Sequence, residues 1–175
     1  MTNSRNKGMV FERQIAAQLE ALTGVKFARN LEQSRAVDHC DLIADTPAWP
    51  FSCELKRYAD GTGCKPAWRE QAKRAAEKNG RIPCVIYRFD RQDTRVSVPL
   101  QAIGYALGQA WEEPGWAEID LPALAYMAGE IMAIRAMTNS DRGGAKAPGT
   151  APPGAPLSHL TARQTGEATS QGATL

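Results

Sequence analysis

Apolar residues near the start of the chain recur at the spacing of one face of an α-helix. They lie within residues 7–22 and share that face: Phe11, Ile15, Leu19 and Leu22. Gly24 follows them, and glycine readily adopts the left-handed conformation that ends many helices. The pattern therefore predicts an amphipathic helix over residues 7–22, with its apolar face turned toward the core.

Short runs of strand-forming residues, separated by turn-forming residues, come next. They predict three strands, at residues 26–31, 41–45 and 51–58. The third strand alternates two sets of side chains, the apolar Phe51, Cys53 and Leu55 and the polar Ser52, Glu54 and Lys56. Because successive residues of a strand point to opposite faces of the sheet, this strand has one apolar and one polar face.

The second half of the pattern alternates helices and strands. It predicts a helix at residues 66–79, strands at 84–89 and 94–98, and helices at 100–112 and 121–137. Pro66 at the start of the first of these helices and Gly80 just after its end are typical of helix termini. This order predicts an α/β (α+β) protein with a mixed sheet flanked by helices.

Composition separates the end of the chain from this folded part. The chain has 175 residues, enough for one domain, but residues 143–175 contain no aromatic and no β-branched aliphatic residue. Such a segment cannot bury enough apolar surface to offset the roughly 1–2 kcal/mol per residue that ordering costs. We therefore predict a domain over residues 1–137, with a helical extension from about residue 100, and a disordered tail over 138–175.

Charge is distributed unevenly along the chain. Residues 1–100 carry 17 basic and 12 acidic residues, a net charge of +5, whereas residues 101–135 carry 1 and 5, a net charge of −4. The first hundred residues are therefore suited to contact a polyanion, and the next segment would repel one.

Other features exclude several classes of protein. The first residues are polar, and no apolar run approaches the roughly 20 residues that cross a bilayer. The 4 cysteines contain no Cys-x-x-Cys pair and are too sparse for a disulfide scaffold. We therefore expect a cytoplasmic protein without a membrane contact.

The candidate chemistry lies on the second and third predicted strands. Glu54 and Lys56 are two positions apart, so both side chains point to one face, and Asp41 begins the neighbouring strand. Two carboxylates that converge from adjacent strands provide the hard oxygen ligands that Mg²⁺ prefers. A lysine beside such a site can stabilise the charge that develops on a phosphodiester during hydrolysis.

The ordered set of Asp41, Glu54-Leu55-Lys56 and Gln71 resembles the PD-(D/E)xK nuclease superfamily. The first helix, with Lys7-Gly8 before Phe11-Glu12, is similar to the archaeal-type Holliday junction resolvases and the related endonucleases of phages. The resemblance covers about residues 4–100 and implies a restriction-endonuclease-like fold with an αβββαβ core. Cys40 stands where the superfamily pattern has proline.

The resemblance implies a role for each matching residue. Asp41 and Glu54 would bind the metal, with the Leu55 carbonyl as a further ligand, and Lys56 would be the catalytic lysine. Glu12 would hold metal through water or hold Lys56, and Gln71 would enter the site from the second helix. The cofactor would be Mg²⁺, with Mn²⁺ able to substitute. Basic residues would contact branched or duplex DNA: Arg5, Lys7, Arg57, Lys65, Arg69 and Lys73.

Several alternatives remain open at this stage. Asp38 is a rival ligand to Asp41, and Glu12 or the basic residues could simply be solvated surface. The chain could also be a restriction-like, nicking or exonucleolytic phage enzyme, or a DNA-binding module without catalysis. A third class is a structural adaptor that binds through residues 121–137. That same apolar helix could cover the sheet or join two subunits, and we expect a homodimer.

Overall fold

The computed structural model describes residues 4–30 and 40–142. Helices and strands alternate along these residues in this order: α1 (Ser4–Thr23), β1 (Phe27–Arg29), β2 (Leu42–Ala44), β3 (Phe51–Tyr58), α2 (Pro66–Asn79), β4 (Ile82–Phe89), β5 (Arg95–Pro99), α3 (Leu100–Ala106), β6 (Trp116–Ile119) and α4 (Leu121–Arg142). The predicted mixed sheet with flanking helices is confirmed.

The main sheet has the strand order β3-β4-β5-β6. β3 and β4 are parallel, with Cys53 opposite Cys84, and the other neighbours are antiparallel. β1 and β2 form a separate antiparallel pair. The Asp41 N–H donates to the Cys53 carbonyl at 2.9 Å, so this pair is joined to β3 at the residue just before β2.

One face of the sheet packs against α1 and α4. Ile15 and Leu19 of α1 are fully buried and belong to the same apolar cluster as Phe51 of β3 and Ile131 of α4. Burying side chains of this size contributes about 1.5–3 kcal/mol each. The helical spacing of the apolar residues in α1 therefore explains how this helix covers the sheet.

The other face packs against α2. Trp68 and Ala72 of this helix lie on Val85, Tyr87 and Phe89 of β4. The helix begins at Pro66 and ends at Gly80, which has the left-handed φ of 65° that the sequence predicted for a helix end.

The polar face of β3 is buried under α2, although it was predicted only as polar. Ser52 and Glu54 are both buried, and the Asn79 side chain donates to the Ser52 hydroxyl at 3.1 Å. Buried polar groups need such partners because water is excluded from them. This arrangement places Glu54 in a protected position between sheet and helix.

The structure corrects the prediction after residue 100. The helix predicted over residues 100–112 ends at Ala106, because the chain turns at Gly108 with a φ of 67°. Strand β6 was not predicted. It pairs with β5 through Val98 and Ala117, and its fourth residue, Ile119, packs against the core.

The last helix continues to Arg142, beyond the predicted boundary at residue 137. Residues 143–175 lie outside the described residues, so the predicted disordered tail stays a prediction from composition. Among the residues that the structure describes, no helix is both long and apolar enough to cross a membrane.

Candidate active site

Asp41 is held against β3 by backbone hydrogen bonds. Its N–H donates to the Cys53 carbonyl at 2.9 Å, and its own carbonyl accepts from the Asn30 N–H at 2.9 Å. Its carboxylate accepts the N–H of Leu55. These contacts fix both the backbone and the side chain of Asp41 beside the strand that carries Glu54.

Glu54 and Lys56 point to the α2 face of β3 and contact each other. The Lys56 ammonium donates to Glu54 Oε1 at 2.6 Å and to Gln71 Oε1 at 2.9 Å. Glu54 is 3% exposed and Lys56 is 18% exposed. The ion pair is therefore largely shielded from water, unlike the exposed pair that a glutamate and a lysine at this spacing usually form.

The two carboxylates of the site influence each other electrostatically. Burial raises the pKa of Asp41 to about 8, and the negative charge of Glu54 is the next largest cause. The Leu55 N–H and the charge of Lys56 act in the opposite direction. A buried carboxylate beside a second carboxylate favours a proton or a cation between them.

Glu12 approaches the site from α1. Its carboxylate forms an ion pair with Arg29 of β1, and its charge also raises the pKa of Asp41. Arg29 was not among the residues predicted for the site. Its contact depends on β1 lying beside α1, and no local sequence pattern indicates that placement.

The donor set fits Mg²⁺. Asp41 and Glu54 supply carboxylate oxygens, and Mg²⁺ is commonly held by one or two carboxylates with water as the remaining ligands. Within residues 4–30 and 40–142 there is no group of three or more His, Cys, Asp or Glu side chains that could hold a metal ion. Glu12 pairs with Arg29, and Asp38 lies outside the described residues.

The basic residues predicted to contact DNA fall into three places. Lys7 and Arg57 both pair with Asp90, on the α1 side of the sheet. Arg69 and Lys73 lie over the Trp116 ring, with charge-to-centroid distances of 5.5 and 6.0 Å. Lys65 lies beside Tyr58 and Trp68. Arg5 is in the first turn of α1, and its side chain is outside the described part.

The structure thus gathers Asp41, Glu54, Lys56 and Gln71 at one place and sets Glu12 near them, but separates the basic residues. Sequence reasoning did not select Asp90, whose ion pairs join α1 to the sheet, or Tyr58. The signal for Tyr58 was available, because it follows Lys56 by two positions on the same strand face.

The fold and this site define the class: an α/β protein with two buried carboxylates and a lysine at the edge strand of a mixed sheet. The model of the family described as "Phage putative PDDEXK endonuclease" matches residues 3–121. The chain belongs to this phage PDDEXK endonuclease family, as the resemblance implied.

A solved structure, the Holliday junction resolvase Hjc of Archaeoglobus fulgidus, is similar with 18% sequence identity and a TM-score of 0.47. The similarity covers 69% of this chain and 98% of the resolvase chain. No curated protein matches the chain.

Proposed function

We propose that this endonuclease depends on Mg²⁺, with Mn²⁺ as a substitute, and cuts phosphodiester bonds in branched DNA. The observation that carries the proposal is the buried pair of carboxylates, Asp41 and Glu54, with Lys56 bound to both Glu54 and Gln71. Selectivity for branched DNA rests on the resemblance of residues 4–100 to junction resolvases.

Asp41, Glu54 and the Leu55 carbonyl would hold the cation. When bound, Mg²⁺ lowers the pKa of a coordinated water and neutralises charge on the phosphate. The Leu55 N–H fixes the Asp41 carboxylate, so the ligand geometry depends on the pairing of Asp41 with β3.

Lys56 stabilises the charge that develops on the phosphodiester. An ammonium has three donors, and Glu54 and Gln71 accept two of them. The third is available to a phosphate oxygen in the transition state. Since burial limits competing water, this charge acts more strongly than an exposed lysine would.

A symmetric pair of chains fits a branched substrate, because a four-way junction presents two equivalent strands to cut. We propose that the enzyme is a homodimer that acts in the cytoplasm of the phage-infected cell. The domain that carries this activity is proposed to end within α4.

Cleavage of labelled DNA tests the proposal. Four-way junction, duplex and single-stranded DNA are incubated with wild type, Glu54→Gln and Glu77→Gln, in Mg²⁺, Mn²⁺ or EDTA. Glu77 is an exposed residue of α2, so Glu77→Gln serves as the matched control. We expect cutting by wild type and the control with either metal, and none by Glu54→Gln or in EDTA.

The preferred substrate decides the finer assignment. Preference for the junction supports the resolvase-like proposal, and preference for duplex or ends indicates a restriction-like or exonucleolytic enzyme with the same site. Binding of DNA without any cutting by wild type would contradict catalysis and leave a binding module.

A further inference from the structure

An aromatic side chain is exposed next to the active site. Tyr58 is the last residue of β3 and is 45% exposed. One face of its ring stacks on Trp68, with the ring centroids 5.1 Å apart and the planes 20° apart. A tyrosine that only fills the core would be more deeply buried than this.

The support under Tyr58 is rigid. Trp68 is itself 6% exposed and contacts the buried rings of Tyr87 and Phe89, at centroid distances of 6.0 and 6.2 Å. The backbone is held as well, because the Tyr58 carbonyl accepts from the Asp90 N–H at 3.1 Å and from Arg57 at 3.1 Å. The ring is therefore preorganised, and a ligand on it would cost little ordering entropy.

Lys65 lies beside this aromatic stack. Its ammonium is 5.2 Å from the Tyr58 centroid and 5.3 Å from the Trp68 centroid. Because the ammonium is almost equally distant from both centroids, it lies beside the stack, near the plane midway between the two rings. Lys65 therefore leaves the outer face of Tyr58 uncovered and places a positive charge at its edge.

The position of Tyr58 along β3 sets the distance between its ring and the phosphate proposed to bind at Lys56. Tyr58 and Lys56 share a strand face two residues apart, a separation of about 6.6–6.8 Å along the strand. Bases in a DNA strand follow one another at about 3.4 Å. A base on Tyr58 would therefore belong to a nucleotide within about two steps of the phosphate held at Lys56.

We propose that Tyr58, backed by Trp68 and flanked by Lys65, binds one unpaired base next to the scissile phosphate. Lys65 pairs with the phosphate of that nucleotide. A base inside a duplex is covered on both faces by its neighbours, so the platform favours an unpaired base at a branch point, gap or end. The inference rests on the proposed function and names the feature by which the enzyme selects its substrate.

Binding experiments with the full chain test this inference. Glu54→Gln serves as the parent, so that DNA stays uncut, and carries in addition Tyr58→Leu, Tyr58→Phe or the control Tyr126→Leu. Tyr126 is an exposed tyrosine of α4. The DNAs are a gapped duplex and a fully paired duplex of the same sequence, and 2-aminopurine occupies the unpaired positions.

We expect Tyr58→Leu to weaken binding of the gapped DNA about 10- to 100-fold, the range for loss of one base-aromatic stack. Binding of the paired duplex should stay the same, and Tyr58→Phe and Tyr126→Leu should match the parent for both DNAs. Quenching of 2-aminopurine fluorescence by the parent should disappear with Tyr58→Leu, and unfolding in urea should show that this variant is folded.

Four results would overturn the inference. Equal weakening on gapped and paired DNA would show that Tyr58 supports the site without selecting a base, and no weakening on either would show that it is not contacted. A change from dimer to monomer in sedimentation would make Tyr58 a subunit contact. If the parent binds no DNA at all, the proposed function fails with the inference.

Discussion

Lys56 is oriented by a side chain from a different element. Gln71 of α2 accepts from its ammonium at 2.9 Å, beside the 2.6 Å contact of the same ammonium with Glu54 of β3. The amide carries no charge, so its effect is to fix the direction of the lysine and not to stabilise the transition state directly. We therefore propose that Gln71 is a positioning residue.

Replacing Gln71 separates this role from binding. We expect Gln71→Ala to lower kcat about 10-fold with KM for DNA unchanged, whereas Lys56→Gln lowers kcat about 10²–10³-fold because a charge is lost. Gln71→Glu, which retains an acceptor oxygen, should recover part of the loss. Steady-state cleavage with Glu77→Ala as the control gives the comparison, and an equal rise in KM for Gln71→Ala would argue against positioning.

Asp41 makes the stability of the metal-free protein depend on pH. The folded protein retains the Asp41 proton up to about pH 8, whereas an unfolded chain releases it at about pH 4. Between these values the folded state binds more protons, so the free energy of unfolding falls as the pH rises.

Urea unfolding in EDTA at several pH values measures this dependence. We expect wild type to lose stability from about pH 4 to about pH 8, and Asp41→Asn to lose less because it has no proton to release. Added Mg²⁺ should restore stability to wild type at the upper end and not to Asp41→Asn. Parallel pH curves for the two proteins would contradict the assignment.

At the scale of residues, strand and helix spacings in the sequence indicated which of the proposed site residues would be neighbours. Asp41 directly precedes β2, Glu54 and Lys56 lie on β3, and Gln71 lies one turn after Trp68 on the side of α2 that contacts Lys56. Arg29 and Asp90 could not be selected in this way. Their partners, Glu12 and Lys7, come from a different element, so only the folded arrangement identifies them.

Among the elements, the loop between β3 and α2 depends on one glycine. A Cβ on Gly61 would overlap the ring of Phe89, which is 1% exposed and cannot move aside. The backbone of this loop therefore passes directly over the buried ring. This close approach fixes where α2 starts and hence where Lys65, Trp68 and Gln71 lie.

Substitution in this loop tests the close approach. We expect Gly61→Ala to lower the free energy of unfolding by about 1–3 kcal/mol, the range for overpacking a dense core. Gly63→Ala is the matched control, because its Cβ would meet only Glu118 at an ordinary 3.7 Å. Urea unfolding of both variants measures the difference, and equal stability would show that the loop backbone moves to accommodate the added methyl group.

Elements with strong local patterns were predicted with their exact bounds, and others were not. β3 and α2 have period-2 and helical patterns that cover the whole element. β6 has only four residues and follows Pro114 and Gly115, so its pattern is too short to indicate a strand. Pairing with β5 stabilises β6, and the residues of β6 alone do not indicate that contact.

For the whole molecule, the helices on the two faces of the sheet differ in charge. The helix α2, on the face that carries Glu54 and Lys56, has four basic and two acidic residues, whereas α4, on the other face, has two of each. We therefore expect DNA bound at the site to follow α2 and not α4.

The salt dependence of DNA binding tests this expectation. Lys73 lies on α2 beside Trp116, and Arg135 lies on α4 beside Tyr105. In the Glu54→Gln background, we expect Lys73→Gln to reduce the slope of log K against log salt by about 1, as for a lysine that contacts one phosphate. Arg135→Gln should leave the slope unchanged. If Arg135→Gln reduced the slope and Lys73→Gln did not, the DNA would lie on the α4 side.

The burial of Asp41 beside Glu54 also affects which variants would survive a screen for stability. The metal-free fold keeps Asp41 protonated near neutral pH, where an unfolded chain releases that proton, so we expect Asp41→Asn to be more stable but inactive. A library screened only for yield or heat resistance would therefore collect inactive variants at this position. We expect the Asp41 carboxylate to persist only where cutting itself is selected.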